Sequence, residues 1–194
     1  LFFSFLKLTM YFNNDFYGDC LILSEYIYDL EFYDNKRRKH INNRSGKTWS
    51  MLYGLTPYSA YKKDQRRIKD PDTNYYWSKA RMEYPDLQDI FKEFSNYHFP
   101  DHKWRSIMIN KNFECKPHYD AGNIGISVML GLGDYSEGYL CIEDELTKNI
   151  TKHPTYHRLI KFNGSKNKHW TNPFSFSIII QGFNLFFYFS FLFN

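Results

Sequence analysis

The chain has 194 residues, a formal net charge of +4 and an aromatic content of 21%. This length predicts one domain with a core of large, flat side chains. The cysteines are odd in number and far apart, which excludes a disulfide framework and a zinc knuckle. Cys20, Cys115 and Cys141 are therefore expected to be reduced core residues of an intracellular protein, in the cytoplasm or the nucleus.

We expect residues 1–34 to be irregular, because polar and aromatic residues are mixed there without a clear period. The chain starts with leucine, so we expect these first residues not to be a native start. The opening stretch LFFSFLKLTM lacks the basic leader and the small-residue cleavage site of a secretory signal.

Residues 35–100 are expected to form a basic loop followed by helical support for the core. Between Lys36 and Lys69 lie eleven Lys and Arg residues against one acid, Asp64, so this segment carries +10 and the remainder −6. Four aromatic residues are interleaved with these charges: Trp49, Tyr53, Tyr58 and Tyr61. Basic side chains beside exposed rings can hold phosphates and stack on bases. A solvated loop is the commoner reason for such a composition, so the segment gives a hint of a nucleic-acid partner and no more.

The stretch YPDLQDIFKEFSNYHFP, from Tyr84 to Pro100, predicts an amphipathic helix. Pro85 suits the first turn, and Asp86 and Asp89 suit the positive end of the helix dipole. The spacing i, i+3, i+4, i+7 predicts one buried stripe: Leu87, Ile90, Phe91 and Phe94.

From residue 101 onward the period changes from that of a helix to that of β-strands. Gly, Asn, Asp and Pro separate five short runs of β-branched or aromatic residues: Trp104–Asn110, Gly125–Leu132, Gly138–Glu143, His157–Phe162 and Phe174–Ile180. A helical first half followed by a meander of short strands predicts an α+β, mainly-β fold. We expect a β-sandwich or jelly roll at residues 101–180, with the helices packed outside it.

The last stretch, FSFSIIIQGFNLFFYFSFLFN, is uncharged and long enough to cross a bilayer. Gln181, Gly182 and Asn184 interrupt it, and its first half alternates like a strand. We therefore expect a core strand followed by an aberrant aromatic tail at residues 181–194. A membrane anchor is the less favoured alternative.

A histidine and an aspartate stand two residues apart in KPHYDAGN, just before a predicted strand. Alternation along a strand puts His118 and Asp120 on one face. With a second imidazole from another strand they would make a 2-His-1-carboxylate triad, which leaves three positions of an octahedral iron open. The pattern therefore predicts a site for Fe(II) that can also bind reactants.

The spacing leaves the second histidine of this triad open. His153 precedes Pro154 and is expected in a turn, whereas His157 opens a predicted strand. His169 follows FNGSKNK and leads into the last predicted strand, a position that could fold back opposite His118. The residues alone favour His169 over His157 only modestly.

Several motifs follow one another in order: INKN, PHYD, the asparagine after it, a GDY turn and a later HWT. Together they resemble the iron- and 2-oxoglutarate-dependent oxygenase superfamily, and most closely a group common in large DNA viruses and protists. The resemblance covers roughly residues 104–174, with a weaker echo at RSGKTWSMLYGLTPYS. It implies a double-stranded β-helix, the cofactors Fe(II) and 2-oxoglutarate, and the iron ligands His118, Asp120 and His169.

The chain departs from the family pattern at two places. Glu137-Gly138 stands where the family usually has two glycines, and no basic residue follows His169, where an arginine is usual. That arginine would clamp the far carboxylate of 2-oxoglutarate. We consider three explanations, in this order: an altered carboxyl terminus, a substitute such as Arg105 or Lys161 from a neighbouring strand, or metal binding without 2-oxoglutarate.

Asn123 and Ser127 follow the His-Asp pair closely and could hydrogen-bond the cosubstrate or the metal ligands. Turn capping by the asparagine and a strand-face serine explain them equally well. The leading hypothesis is an Fe(II)- and 2-oxoglutarate-dependent dioxygenase that hydroxylates a macromolecule, either a nucleobase or a protein side chain. The alternative is a catalytically degenerate, metal-binding jelly-roll module that recognises a ligand or partner. The sequence does not predict an oligomeric state.

Overall fold

The computed structural model describes residues 12–34, 41–42, 49–56, 68–111, 114–176 and 184–192. The helices there are α1 (Phe16–Tyr28), α2 (Lys79–Glu83) and α3 (Leu87–His98). The first strands are β1 (Tyr33–Asp34), β2 (Ile41–Asn42), β3 (Trp49–Thr56), β4 (Tyr76–Trp77), β5 (Ser106–Lys111) and β6 (Glu114–Cys115). The later strands are β7 (Asn123–Gly133), β8 (Tyr135–Glu137), β9 (Leu140–Glu143), β10 (Ile150–His153), β11 (Leu159–Phe162), β12 (Lys168–Thr171), β13 (Phe174–Phe176) and β14 (Asn184–Leu192).

The strands form two main sheets. The large sheet has the order β1-β3-β5-β14-β7-β11, and β4 pairs with β3 at its side. The small sheet has the order β10-β9-β12, and short pairs join β2 to β6 and β8 to β13. Side chains from both sheets pack together in one buried cluster, so the sheets lie face to face. The prediction of a mainly-β, jelly-roll-like fold with helices outside it is confirmed.

Strand β7 contributes to two hydrophobic cores. Met129 packs between the sheets with Leu140 of β9 and Phe162 of β11. Val128 and Leu130 belong to a larger cluster that includes the buried residues of α1 and α3. Because both faces of β7 are covered from residue 127 to residue 132, this part of its sequence is an apolar run without polar alternation.

Helix α3 confirms the predicted amphipathic pattern, with a different start. Leu87, Phe91 and Phe94 are buried, and Ile90 is partly buried against the same cluster. Asp86 is the N-cap residue, so Pro85 precedes the helix. The reason is that α2 ends at residue 83, and Pro85 lies in the short turn between the two helices.

Helix α1 lies in the segment that was predicted to be irregular, so that prediction is wrong for residues 16–28. The Asp15 side chain caps the helix by accepting a hydrogen bond from the Gly18 backbone N–H. The buried apolar residues of α1 are Cys20, Leu23 and Ile27. Asp19 is also fully buried and contacts Nε2 of His98 at 2.8 Å. This buried carboxylate interrupts the apolar stripe and hides the helical period in the sequence.

Strand β3 lies in the segment that was predicted to be a basic loop. Tyr53, expected as an exposed ring, is fully buried and donates its hydroxyl hydrogen bond to the Tyr84 carbonyl at 3.1 Å. Residues 49–56 are therefore part of the large sheet, flanked by the basic charges. The rest of the basic segment lies largely outside the described residues, at 35–40, 43–48 and 57–67.

Strand β14 lies inside the large sheet, between β5 and β7. The predicted aromatic tail at 181–194 therefore contains a strand, and the jelly roll extends beyond residue 180. An uncharged run of aromatic and apolar residues suits a strand that has neighbours on both sides. Within the predicted strand at 174–180, β13 covers Phe174–Phe176, and residues 177–180 lie outside the described part. No helix of the described chain is long and apolar enough to cross a membrane.

Candidate metal centre

Three polar side chains from distant parts of the chain converge beside the core between the sheets. His118, Asp120 and His169 each offer one donor atom, and these atoms lie within 4.8 Å of one another. Nε2 of His118 is 3.3 Å from Oδ1 of Asp120, and Nε2 of His169 is 3.4 Å from Oδ2 of the same carboxylate. The structure thus brings together the three residues that the resemblance implied as ligands.

Backbone pairing places the two imidazoles side by side. His118 and His169 form an antiparallel bridge in which each backbone N–H donates to the other carbonyl at 3.0 Å. Residues paired in this way project to the same face of a sheet. The ring centroids are accordingly 4.4 Å apart.

Gly164 makes room for the Asp120 carboxylate beside the two imidazoles. The Asp120 backbone N–H donates to the Gly164 carbonyl at 2.8 Å, which ties the loop before β7 to the turn before β12. A Cβ atom on Gly164 would lie 2.9 Å from Oδ2 of Asp120, closer than van der Waals contact allows. The glycine of the FNGSKNK stretch therefore leaves room for the Asp120 carboxylate.

Both histidines use Nδ1 for a structural hydrogen bond. Nδ1 of His118 lies 2.8 Å from the Lys116 carbonyl, and Nδ1 of His169 lies 3.0 Å from the Asn167 carbonyl. A carbonyl can only accept, so Nδ1 carries the proton in each ring. This fixes Nε2 as the atom that faces Asp120, which is the usual arrangement of metal-binding histidines.

The carboxylate has its own support from the residues predicted to assist the site. Nδ2 of Asn123 donates to Oδ2 of Asp120 at 3.2 Å and to Oγ of Ser127 at 3.1 Å. Ser127 is fully buried on β7 and so anchors the amide. These contacts orient Asp120, whereas a direct contact of Asn123 or Ser127 with a cosubstrate stays a prediction.

Electrostatics show that the site favours a cation next to Asp120. Burial lowers the pKa of His118, but its hydrogen bond to Asp120 and the nearby Cys115 raise that pKa overall to about 10. Burial acts to raise the pKa of Asp120, yet the neighbouring imidazoles of His118 and His169 hold that pKa below its usual range. The protonated imidazole occupies the place of a cation here, and a bound metal ion would displace its proton.

The site is closed on one side and open on the other. The His169 side chain is 0% exposed and its ring packs against Phe162, with ring centroids 4.8 Å apart. The Asp120 side chain is 27% exposed. Tyr119 and the apolar residue Ile124, which lie next to the site in sequence, are also exposed. The open side therefore leaves the Asp120 carboxylate accessible from solvent.

The alternative ligands suggested by the sequence lie elsewhere. The His157 ring stacks on Tyr156, with centroids 4.2 Å apart, and contacts Tyr17 of α1. It is not part of the three-residue cluster, and neither is His153 on β10. Of these three histidines, His169 is the one that joins His118 and Asp120 in the described cluster, and its role as a metal ligand stays a prediction.

The two suggested substitutes for the missing arginine also do not reach the centre. The Arg105 guanidinium lies 5.0 Å from the centre of the Tyr75 ring, on the side of β3 and β4. Lys161 is exposed, between the buried neighbours Ile160 and Phe162. Alternation along β11 therefore turns Lys161 away from the space between the sheets. The described contacts therefore place neither side chain beside Asp120, and the replacement of the arginine by either residue stays a prediction.

Sequence reasoning missed the residues that support the ligands through their backbone. Lys116 and Asn167 each lie two residues before a histidine of the cluster, and their carbonyls accept the hydrogen bond that orients its ring. Any residue type supplies a carbonyl, so no signal could have revealed them. Gly164 could have been found, because a glycine in the turn before His169 suggests a close approach.

Solved structures with a similar fold are oxygenases. An oxidoreductase of the 2OG-Fe(II) oxygenase family from Burkholderia pseudomallei matches with a TM-score of 0.52 and 11% identity, over 88% of this chain and 77% of that chain. A prolyl-4-hydroxylase from Pseudomonas putida matches with a TM-score of 0.49 and 12% identity, over 95% and 89% of the two chains. A prolyl hydroxylase from Trichoplax adhaerens, in complex with a hypoxia inducible factor peptide fragment, matches with a TM-score of 0.46 and 12% identity, over 92% and 81%.

The similarity of this chain to known proteins is one of fold and not of sequence. No protein-family model matches the sequence, and no curated protein matches it. At 11% identity the likeness to the Burkholderia structure shows the fold alone. The resemblance to a group from large DNA viruses and protists stays a prediction.

Proposed function

We propose that this chain is an Fe(II)- and 2-oxoglutarate-dependent dioxygenase that hydroxylates a macromolecule. The observation that carries the proposal is the convergence of His118, Asp120 and His169 in a jelly-roll fold. Two imidazoles and one carboxylate are the donor set of non-haem Fe(II) oxygenases, and they leave positions open for reactants. The motifs around these residues support the same assignment.

The residues present fit a ferrous ion. Both Nε2 atoms face the Asp120 carboxylate, and each ring is held by its Nδ1 hydrogen bond. His118 and His169 would supply neutral nitrogen donors, and Asp120 would supply one negative charge, kept in place by Asn123. When bound, the ion with its cosubstrate supplies the oxidising power that hydroxylates a C–H bond. The protein orients the ligands and shields the inner side of the site from water.

The fit to 2-oxoglutarate is weaker than the fit to iron. Its far carboxylate needs a cationic partner in an apolar interior, because an unpaired charge there costs several kcal/mol. Arg105 contacts the Tyr75 ring and Lys161 is exposed, so the described contacts support neither as that partner. This observation favours a second candidate function, a metal-binding jelly-roll module that recognises a ligand without turnover.

Two measurements on one set of proteins separate these functions. Calorimetry with Mn(II) tests metal binding, and succinate formation from 2-oxoglutarate under Fe(II) and oxygen tests turnover. The variants are His118→Ala and, as a matched control outside the cluster, His153→Ala. The dioxygenase assignment predicts metal binding and succinate in the wild type and in His153→Ala, and neither in His118→Ala. Metal binding without succinate would favour the module, and equal metal affinity in all three proteins would refute both.

A further inference from the structure

A second cavity lies outside the metal centre, where α2 and α3 meet the ends of β3 and β5. Its volume is about 230 Å³, and its walls include Trp77, Arg81, Lys92, Trp104 and Arg105. Neither the proposed chemistry nor the resemblance assigns it a role. Its lining combines cationic groups with indole rings.

The cavity is positively charged. Arg81, Lys92 and Arg105 face one carboxylate, that of Asp70. The Arg81 guanidinium lies 5.1 Å from the centre of the Trp77 ring and donates to the Pro85 carbonyl at 2.9 Å. Lys92 is exposed on α3, and no ion pair joins it to any residue that the structure describes. An anionic ligand therefore meets at least one ammonium group with no competing carboxylate.

The indole rings are fixed in place. Nε1 of Trp77 donates to Oδ2 of Asp70 at 3.2 Å, and Nε1 of Trp104 donates to Oγ of Ser95 at 3.1 Å. These hydrogen bonds satisfy the polar atom of each indole ring. Both rings are half-buried, so part of each apolar surface stays accessible. Fixed rings next to guanidinium groups are the elements that stack a base and hold its phosphate.

The cavity lies at the same end of the large sheet as the metal centre. Gly54 at the cavity pairs with Ser106 of β5, which pairs with Ser190 of β14. One residue further along, β14 pairs with Val128 of β7, the neighbour of Ser127 beside the metal centre. These three steps across the sheet correspond to roughly 14 Å at the usual strand spacing. The cavity lies on the helix-covered face of this sheet, and the metal centre lies on the face that meets the small sheet. An extended chain that contacts both places has to pass over this end of the sheet.

We propose that this cavity binds one nucleotide of a single-stranded nucleic acid, whose neighbouring part extends to the metal centre. The proposal rests on the proposed function insofar as it names the substrate class of that site. Lys92 and Arg105 contact phosphate, and Trp77 supplies the stacking surface. An acidic polypeptide would satisfy the cations but would not need the indole surface.

The test measures binding alone, so its result is independent of turnover. Fluorescence anisotropy follows a labelled single-stranded oligonucleotide with the full chain, without iron or 2-oxoglutarate, at several salt concentrations. The test variants are Lys92→Gln and the double variant Lys92→Gln, Arg105→Gln. The matched control is Lys103→Gln, which removes an exposed charge next to Trp104 but outside the cavity.

We expect the double variant to weaken binding at least tenfold and to reduce the slope of log affinity against log salt by about 1.4, as for two lost phosphate contacts. Lys92→Gln alone should show about half that change in slope, and Lys103→Gln none. Trp77→Leu should weaken oligonucleotide binding roughly five- to hundredfold and leave poly-glutamate binding unchanged. Equal binding by Lys92→Gln and Lys103→Gln would overturn the proposal. Competition by poly-glutamate as strong as that by unlabelled oligonucleotide would reassign the cavity to acidic polypeptides.

Discussion

The substitution Gly164→Ala should weaken metal binding without unfolding the protein. The added Cβ would lie 2.9 Å from Oδ2 of Asp120, whereas ordinary contact begins at 3.4 Å, so the carboxylate must move by roughly 0.5 Å. A displacement of that size is about the tolerance of a working site. Disturbing the groups that position a metal ligand typically costs 10–100-fold in affinity, which is about 1.4–2.7 kcal/mol.

The assay is calorimetric titration with Mn(II), accompanied by thermal unfolding of the metal-free protein. The control is Ser165→Ala, which changes the next residue of the same turn and removes only a hydroxyl that contacts the Asn163 side chain. We expect Ser165→Ala to keep the wild-type affinity. A folded Gly164→Ala protein that binds Mn(II) as tightly as this control would refute the reasoning about Asp120.

Three further substitutions test other parts of the structure. Asn123→Ala should lower metal affinity about tenfold, because Asp120 loses a hydrogen bond, and an unchanged calorimetric affinity would count against it. Asp19→Ala should cost about 3–5 kcal/mol in urea unfolding, since it leaves His98 buried without its carboxylate; a cost below about 1 kcal/mol would contradict this. Burial lowers the pKa of His157 from its usual 6.5. As the pH falls, the unfolded chain therefore binds a proton at a higher pH than the folded protein does, and the free energy of unfolding decreases below neutrality. His157→Phe should reduce this loss between about pH 7.5 and about pH 5.5, and equal losses in both proteins would show that His157 does not cause it.

Helices and strands with a regular pattern of buried and exposed residues could be predicted from the sequence. Helix α3 buries one stripe and exposes the other side, so its period is visible. Strand β7 is buried from residue 127 to residue 132, and this half reads as an apolar run that follows Gly and Asn signals. His118 and Asp120 could be proposed because they stand two residues apart just before a predicted strand, although the structure places Asp120 in the loop before β7, where strand alternation does not apply.

The remaining features depend on tertiary contacts that no local pattern encodes. Helix α1 is held to α3 by a buried polar contact between Asp19 and His98, and Asp19 reads in the sequence as a polar interruption of the helical pattern. The preference for His169 over His157 depends on a backbone bridge between His118 and His169, which lie 51 positions apart in the chain. Strand β14 was assigned to a tail because its pairing with β5 and β7 is visible only in three dimensions.

Anomalous diffraction from crystals prepared with Fe(II) without oxygen would test the central claim most directly. Data on both sides of the iron absorption edge locate the ion independently of any assumed ligand. The account predicts one peak bonded by Nε2 of His118, Nε2 of His169 and the carboxylate of Asp120. A peak at another set of residues, or an Asp120 carboxylate turned away from the ion, would contradict it.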